Sequence, residues 1–483
     1  MKFHSIVEAI KDYSIVKPDR LCLVDNGGSV TYKEFYRRIC GTAFFLRGRG
    51  IKPGDRVVAS AAQKIDFLVL CHAVQMIGAV FVPLEKNAGP GRIDDIIRKT
   101  EASLYVGPAK TAACPAMQAT ELAGLESDRE PCSLPEADSD SMILFTTGTT
   151  GTSKGILFVH SAEVAVAENV KFGVAMKSDN VEIIPMPINH SFGLRRYFAD
   201  MIDGGTAILL DGVVFIDRLF QMLTRYRATA IAMAPSALAI ILKLSGDKIG
   251  EYNGQLDYIQ FGSSPLPEAE KEKLLQLLPD CRLYNMYGTT EAGCSCVLNF
   301  NGPENFPHCI GRPTCHSVIS VENEAGEPIR SSESNPGYLL CSGGMCMKEY
   351  YQDPALTAST MRRGLVRSDD IGYIDKDGLI YILGRADDVI NTGGNKVSPG
   401  EIEEVAGAFP GVADCACASM RDPLLGHVPK LFIVTDKPLS VERLYQFMAG
   451  KLEKFKLPKA IEIIPEIPRT YNGKIWRNKL EGL

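Results

Sequence analysis

The chain has 483 residues, of which 45% are hydrophobic and 23% charged, with a formal net charge of -6. That length exceeds what one hydrophobic core usually supports, so two or more domains are expected. The negative balance, with basic residues gathered only in KLEKFKLPK near the end, excludes the concentrated cationic face that nucleic-acid binding needs.

From Thr31 to Pro83 the pattern reads as helix (YKEFYRRICGTAFFLRGRG), turn (KPGD), strand (RVVAS), helix (IDFLVLCHAVQMIG) and strand (AVFVPL). This alternation predicts an α/β domain with a largely parallel sheet. The apolar window FLVLCHAVQMIGAVFVPL contains His72 and Gln75 and runs into Pro83, which suits a buried helix and strand better than a membrane span. Residues 107–140, rich in Ala, Pro, Asp, Ser and Glu, read as short elements and a surface loop. Alternation resumes through VEIIPMPINH, GTAILLD, TAIAMAPSAL and DYIQFG, and over 310–345 the texture changes to short strands with turn signals, predicting a small β subdomain. A boundary is placed near Ala386, giving units 1–385 and 386–483, the second a compact α+β unit. Fourteen scattered cysteines without a C-x-x-C pair, and an opening without a leader pattern, indicate reduced thiols in a cytoplasmic protein rather than a disulfide framework or zinc site.

TTGTTGTSKG (residues 146–155) raises the question of a phosphate cradle. A P-loop needs G-x-x-x-x-G-K-[ST] followed by a helix. Counted from Gly148, the second glycine position holds Ser153, and GILFVH after Lys154 is strand-like. What remains is a run of small residues whose N–H groups and hydroxyls would converge on an anion, with Lys154 adding charge. A plain hairpin loop fits the same letters.

Further motifs decide between them. NMYGTTEAG (285–293), RSDDIGYID (367–375), GLIYILGRADDVINTGGNKVSPGEIEE (378–404) and PRTYNGKIWRNKL follow in order, with SVTYKEF, GIKPGDRV and MIGAVFVPL upstream. Together they resemble the adenylate-forming superfamily of acyl- and aryl-CoA synthetases, peptide-synthetase adenylation domains and firefly luciferase, over essentially the whole chain. The resemblance implies a large N-terminal domain of parallel-rich sheets packed with helices and a small mobile α+β C-terminal domain. It also implies activation of a small carboxylic acid by ATP to an acyl-adenylate, with Mg2+, and transfer to a thiol.

By that resemblance Thr146, Thr147, Gly148, Thr149, Thr150, Gly151 and Lys154 would cradle the β and γ phosphates, with Ser153 where the family has proline. Tyr287 would stack on adenine beside Gly288, Thr290 would touch the α-phosphate, and Glu291 would hold Mg2+; read alone, Glu291 fits a helix N-terminus. Gly262, Ser263 and Ser264 would lie along adenine. Asp370 and Arg385 would hold the ribose, Asp369 being an extra carboxylate in a solvated turn, and Asp387 would be the pivot. Lys474 would bridge the substrate carboxylate and α-phosphate, stabilising the transition state more than the ground state. Gly393 and Gly394 would let pantetheine pass, and Gly393 stands where luciferases have lysine.

PMPINHSFGL (185–194) has the histidine form of CoA synthetases, placing His190 near the reacting carboxylate. Phe192 and Arg196, four residues apart, share a helix face and would line the acyl pocket with Gly293. An inward Arg196 would favour an acid with a second anionic group; the alternative is an exposed pair with Asp200. The thiol acceptor is read as coenzyme A, since the histidine motif and glycine pair favour it and no carrier domain follows Lys474. A separate carrier protein and a catalytically silent nucleotide binder are the alternatives. His427 in GHVPK replaces the family's glutamate.

Overall fold

Strand and helix alternate along the chain to build two sheets with helices between them, and a third sheet closes the C-terminal part. The computed structural model describes residues 1–146, 154–393, 395–435, 437–469 and 475–482. The smaller sheet of the first pair carries Arg56–Ser60, Val80–Leu84 and Leu104–Val106 in parallel, continues into the antiparallel hairpin Asp140–Thr146 and Lys154–Val159, and has Glu349–Tyr350 at its edge.

Among the described residues the larger sheet has fourteen strands. A parallel block contains Thr206–Leu209, Val181–Ile184, Ala230–Met233, Tyr258–Phe261 and Arg282–Thr289, side by side in that order. Gly293–Asn299 then turns back antiparallel. The short strands expected as a small β subdomain continue the same ladder. Cys309–Pro313 pairs with Gly293–Asn299 on one side and with Ile380–Arg385 on the other, leading to Leu365–Ile374 and Gly337–Ser342.

The main core lies between these sheets and mixes Phe81, Met142 and Ile156 of the smaller with Leu23, Tyr258 and Met286 of the larger. Ile65–Met76 runs through it, and from Phe67 to Met76 every side chain is buried, as expected of a helix apolar on all sides. Its neighbour Tyr32–Gly48 starts at a capping box: Glu34 N–H donates to Thr31 Oγ1 at 3.2 Å and Thr31 N–H to Glu34 Oε2 at 2.8 Å.

A polar chain crosses this core. Tyr197 OH meets His72 Nε2 at 2.7 Å, His72 Nδ1 meets Gln75 Oε1 at 2.9 Å, and Gln75 Nε2 donates to Glu163 Oε1 at 3.0 Å. Burial lowers His72 to about 3 and raises Glu163 to about 8, so both are held neutral near neutrality and the core avoids naked charge.

The third sheet joins Asn395–Val397, Ile390–Thr392, Gly426–Thr435, Val412–Asp422 and Ala460–Ile463. It has its own apolar cluster, including Ile402, Leu431, Ile433, Leu444 and Met448. All fourteen cysteines are free thiols, and among the described residues no helix is long and apolar enough to cross a membrane.

Candidate active site

Parallel strands send their C-terminal ends to one edge of a sheet, where open α/β folds bind ligands. Here that edge gathers three of the sequence motifs. His190 follows Val181–Ile184, Gly262–Ser264 follow Tyr258–Phe261, and Thr290–Gly293 follow Arg282–Thr289. Glu291 therefore sits in a tight turn between two strands rather than at a helix N-terminus. The turn requires glycine at both ends: a Cβ on Gly288 would fall 1.9 Å from Gly293 O, and one on Gly293, where φ is 72°, would fall 2.6 Å from Met345 Cγ.

The threonine-glycine stretch connects the two strands of the hairpin, with Thr146 and Lys154 in direct register. Thr147, Gly148, Thr149, Thr150 and Gly151 lie outside the described residues. Lys154 Nζ stands 5.8 Å above the Tyr350 ring, and the Tyr350 hydroxyl donates to Glu291 Oε1 at 2.8 Å. The strand carrying Tyr350 pairs with Lys154–Val159, and Met347 N–H donates to Glu291 O at 2.7 Å. The cation expected on the phosphates and the carboxylate expected on the metal thus share one aromatic neighbour. Sequence reasoning missed Tyr350, which sits in KEYYQDP without a motif of its own.

Arg195 was missed as well. It is 8% exposed and donates to Thr289 O at 3.0 Å and Thr290 O at 2.8 Å, while Ser191 Oγ lies 3.3 Å from Thr290 Oγ1. Burial lowers its guanidinium pKa, opposed by Cys294 and Glu291. Arg195, Ser191, Leu194 and Phe198 line a small cavity with Glu163 and Met345. Gln63 braces the segment before His190, donating to Ile184 O at 3.1 Å and Met186 O at 3.0 Å and accepting from Ile188 N–H at 3.2 Å. His190 itself is exposed at the start of the helix Ser191–Asp203. Desolvation by its surroundings lowers its pKa against the opposing pull of Glu85.

Asp370 and Arg385 face each other across adjacent strands. Asp370 is buried and accepts a short hydrogen bond from the Tyr287 hydroxyl, whose ring packs on the apolar cluster around Cys296, Leu339 and Ile380. Burial, then Asp370, raises the Tyr287 pKa well above its ordinary value. The extra Asp369 takes a left-handed backbone, φ 60°, and turns outward, 3.5 Å from Arg367 Nε and 4.0 Å from Arg385 Nη2. Of the adenine-side residues, Gly262 is buried while Ser263 and Ser264 are exposed.

The exposed pair expected for Arg196 is not formed, and the inward side chain already has a protein partner. It is 1% exposed, so there is no surface pair with Asp200. Its Nε and Nη2 donate to Glu182 Oε1 and Oε2 at 2.6 and 2.5 Å, and Nη2 also meets Tyr258 OH at 2.8 Å. Burial works against the guanidinium charge, but Glu182 and Tyr258 outweigh it. Asp200 instead accepts from Asn180 Nδ2 at 2.8 Å and is pushed well up by burial and by Glu182. A second substrate carboxylate would find Arg196 already neutralised.

In the C-terminal part, Asp387 lies in the turn after Ile380–Arg385, and Gly393 N–H donates to Leu425 O at 3.0 Å, beside Gly426 and His427. Gly394 and Lys474 lie outside the described residues. Arg477, just beyond, holds Glu403 Oε2 at 3.1 Å and lies 3.7 Å from Asp388 Oδ1.

A sequence model described as "AMP-binding enzyme" matches residues 14–351, and one described as "AMP-binding enzyme C-terminal domain" matches residues 401–474. The chain belongs to the AMP-binding enzyme family. This AMP-binding enzyme is 25% identical to a 2-succinylbenzoate–CoA ligase of Bacillus licheniformis over 98% of each chain. It is 26% identical to a feruloyl-CoA synthase of Amycolatopsis over 96% of each. Its fold superposes on ATP-bound MatB from Rhodopseudomonas palustris with a TM-score of 0.89 at 25% identity, covering 99% of this chain and 98% of the other. An o-succinylbenzoate CoA synthetase from Bacillus subtilis, in complex with its acyl-adenylate intermediate, gives 0.86 at 22% identity over 98% and 97%.

The donor set fits the nucleotide and metal of this family. Glu291 offers hard carboxylate oxygen of the kind Mg2+ prefers, Lys154 supplies a compact cation, and Asp370 places an acceptor beside Arg385.

Proposed function

We infer that this AMP-binding enzyme joins a carboxylic acid to ATP and then passes the acyl group to coenzyme A. In the first half the substrate carboxylate oxygen attacks the α-phosphorus and pyrophosphate leaves; in the second a thiolate attacks the acyl carbon and AMP leaves. The observation that carries this reading is the assembly of Lys154, Tyr350 and Glu291 at the strand edge that also presents Thr290 and His190. Mg2+ would supply charge neutralisation at the phosphate oxygens, with Glu291 as its protein ligand. Lys154 and Thr146–Gly151 would grip the leaving pyrophosphate, Thr290 the α-phosphate, and Asp370 with Arg385 the ribose. Tyr287, Gly288, Gly262, Ser263 and Ser264 would border the adenine, and Phe192 and Gly293 the acyl group.

The boundary near Ala386 separates a unit that binds ATP and acid from one that carries Lys474, with Asp387 as pivot. The separate core of the third sheet supports this division. Lys474 would serve adenylation, and Gly393 with Gly394 would line the thiol path afterwards.

Pyrophosphate release across a panel of carboxylic acids, with coenzyme A present or omitted, tests the reading. Acyl-CoA formed in proportion to pyrophosphate is the expected result. Acyl-AMP with little acyl-CoA would point to a separate carrier protein, and no pyrophosphate with any acid would leave a silent nucleotide binder. Lys474→Ala is expected to abolish adenylation and spare thioester formation from supplied acyl-AMP; equal loss of both halves would remove its assigned role.

A further inference from the structure

Cys341 and Cys346 flank the glycines of CSGGMC, the turn that leaves the strand Gly337–Ser342 and leads on to Tyr350. Cys341 is buried and Cys346 half-buried, while Gly343 and Gly344 between them are exposed. Cys346 N–H donates to Gly343 O at 3.2 Å, and the Cys346 sulfur lies 3.9 Å from Cys341 O. The turn thus folds the second thiol back on the first, and the two side chains hydrogen-bond each other. Ser295 Oγ, 3.3 Å from Cys341 Sγ, is a further partner. Hydrogen bonding from Cys346, then from Ser295, lowers the Cys341 pKa against the effect of burial. Every other cysteine of the chain is pushed up. Because the thiolate is the reactive form, the pair joins the most readily ionised thiol of the chain to a neighbour placed to resolve its oxidation.

The same turn braces the reaction edge. Met347, next to Cys346, donates its N–H to Glu291 O at 2.7 Å, and Tyr350 beyond it holds Glu291 Oε1 at 2.8 Å. On the far side, Cys341 Sγ stands 4.0 Å from Ala292 O. Both thiols therefore border supports of the Glu291 turn, and a bond between them alters the main chain that sets this carboxylate.

We propose that Cys341 and Cys346 are a reversible oxidation site, at which a peroxide joins them in a disulfide and, resting on the acid-activation reading, weakens the hold of Glu291 on Mg2+. The Cys341 thiolate attacks one peroxide oxygen and the O–O bond breaks, giving a sulfenic acid and a hydroxide that takes the proton Cys341 gave up. The Cys346 sulfur then attacks the sulfenic sulfur, the S–O bond breaks, and the Cys346 proton leaves with that oxygen. The sulfurs are oxidised and the peroxide is reduced to two waters. A dithiol reductant reverses the step by exchange.

Trypsin releases residues 331–348, which hold both thiols and no other cysteine. The enzyme is titrated with hydrogen peroxide, and the peptide is followed by mass for loss of two hydrogens and for resistance to alkylation, beside pyrophosphate release at low and saturating Mg2+. This peptide is expected to oxidise ahead of the other cysteines, with release at low Mg2+ falling about tenfold and dithiothreitol restoring both. Cys346→Ser is expected to keep the rate of the reduced enzyme and to lose the restorable part of the fall. A peptide that stays open to alkylation while activity falls overturns the proposal whether or not the variant folds, as does a disulfide that leaves release unchanged at low Mg2+. A restorable loss that persists in folded Cys346→Ser overturns it as well. Absence of pyrophosphate with every acid removes the activation reading and the Mg2+ consequence, and the peptide still decides whether the two thiols are an oxidation site.

Discussion

Arg195 and Arg196 are neighbours in sequence, yet the helix turns them to opposite duties. Arg196 faces the large sheet and is locked to Glu182 and Tyr258, while Arg195 faces the other way and holds two backbone carbonyls of the Thr289–Thr290 turn. One guanidinium compensates a buried charge; the other orders a loop at the reaction edge. Buried cations of the same type, one helical step apart, thus separate a contribution to stability from a contribution to chemistry.

The strongest way to break that contrast is Arg196→Leu, which leaves Glu182 buried and uncompensated. Urea unfolding is expected to show a loss of about 3–5 kcal/mol, largely recovered when Glu182→Leu is added. Glu163, across the small cavity from Arg195, adds a pH test. Its folded pKa is raised to about 8 from an ordinary 4.5. The unfolded chain therefore loses that proton first, so stability falls as pH rises from the ordinary value to the raised one and the penalty is complete above it. Glu163→Gln is expected to remove that slope, gaining on the order of 2–4 kcal/mol relative to wild type between acid and mildly alkaline unfolding curves. An unchanged slope would place its ionisation elsewhere.

Arg195→Met sharpens the other half of the contrast. It is expected to lower adenylation about 100-fold in kcat through a displaced turn, with a smaller stability loss than Arg196→Leu; a stability loss equal to that of its neighbour would erase the distinction. The smallest effect belongs to Tyr350→Phe, which removes the hydroxyl on Glu291. The Mg2+ concentration for half-maximal pyrophosphate release is expected to rise about tenfold, with the thermal midpoint little changed.

Sequence periodicity carried the parallel strands and the core helices well, because each element there is apolar on its own terms. The Asp370–Arg385 juxtaposition was legible from motif order, and the structure puts the two in register on paired strands. Arg196 was misread because its partner is not a helical neighbour. Glu182, a lone acid inside the apolar strand VEIIP, was the signal, and only the packing of helix on sheet brings the two together. Arg195 and Tyr350 were invisible for a related reason: one bonds main-chain carbonyls, which leave no letter in a sequence, and the other acts across a strand pairing nearly two hundred residues away. The small β subdomain was read from its turns, but its fusion to the large ladder depends on one bridging strand, Cys309–Pro313.

Arg385, the last residue of its strand, lies opposite Asp370, and only residues 386–389 separate it from the first strand of the third sheet at Ile390. Pairs across that junction, such as His308 with Glu404 and Lys396 with Glu324, are long at 3.9 Å and open to solvent, so they hold it lightly. A small dihedral change in that four-residue link would turn everything beyond it relative to the strand Ile380–Arg385. The strand that would hold the ribose would then also be the root of a lever, since Asp370's partner Arg385 and the first strand of the third sheet are joined by that one short piece of backbone.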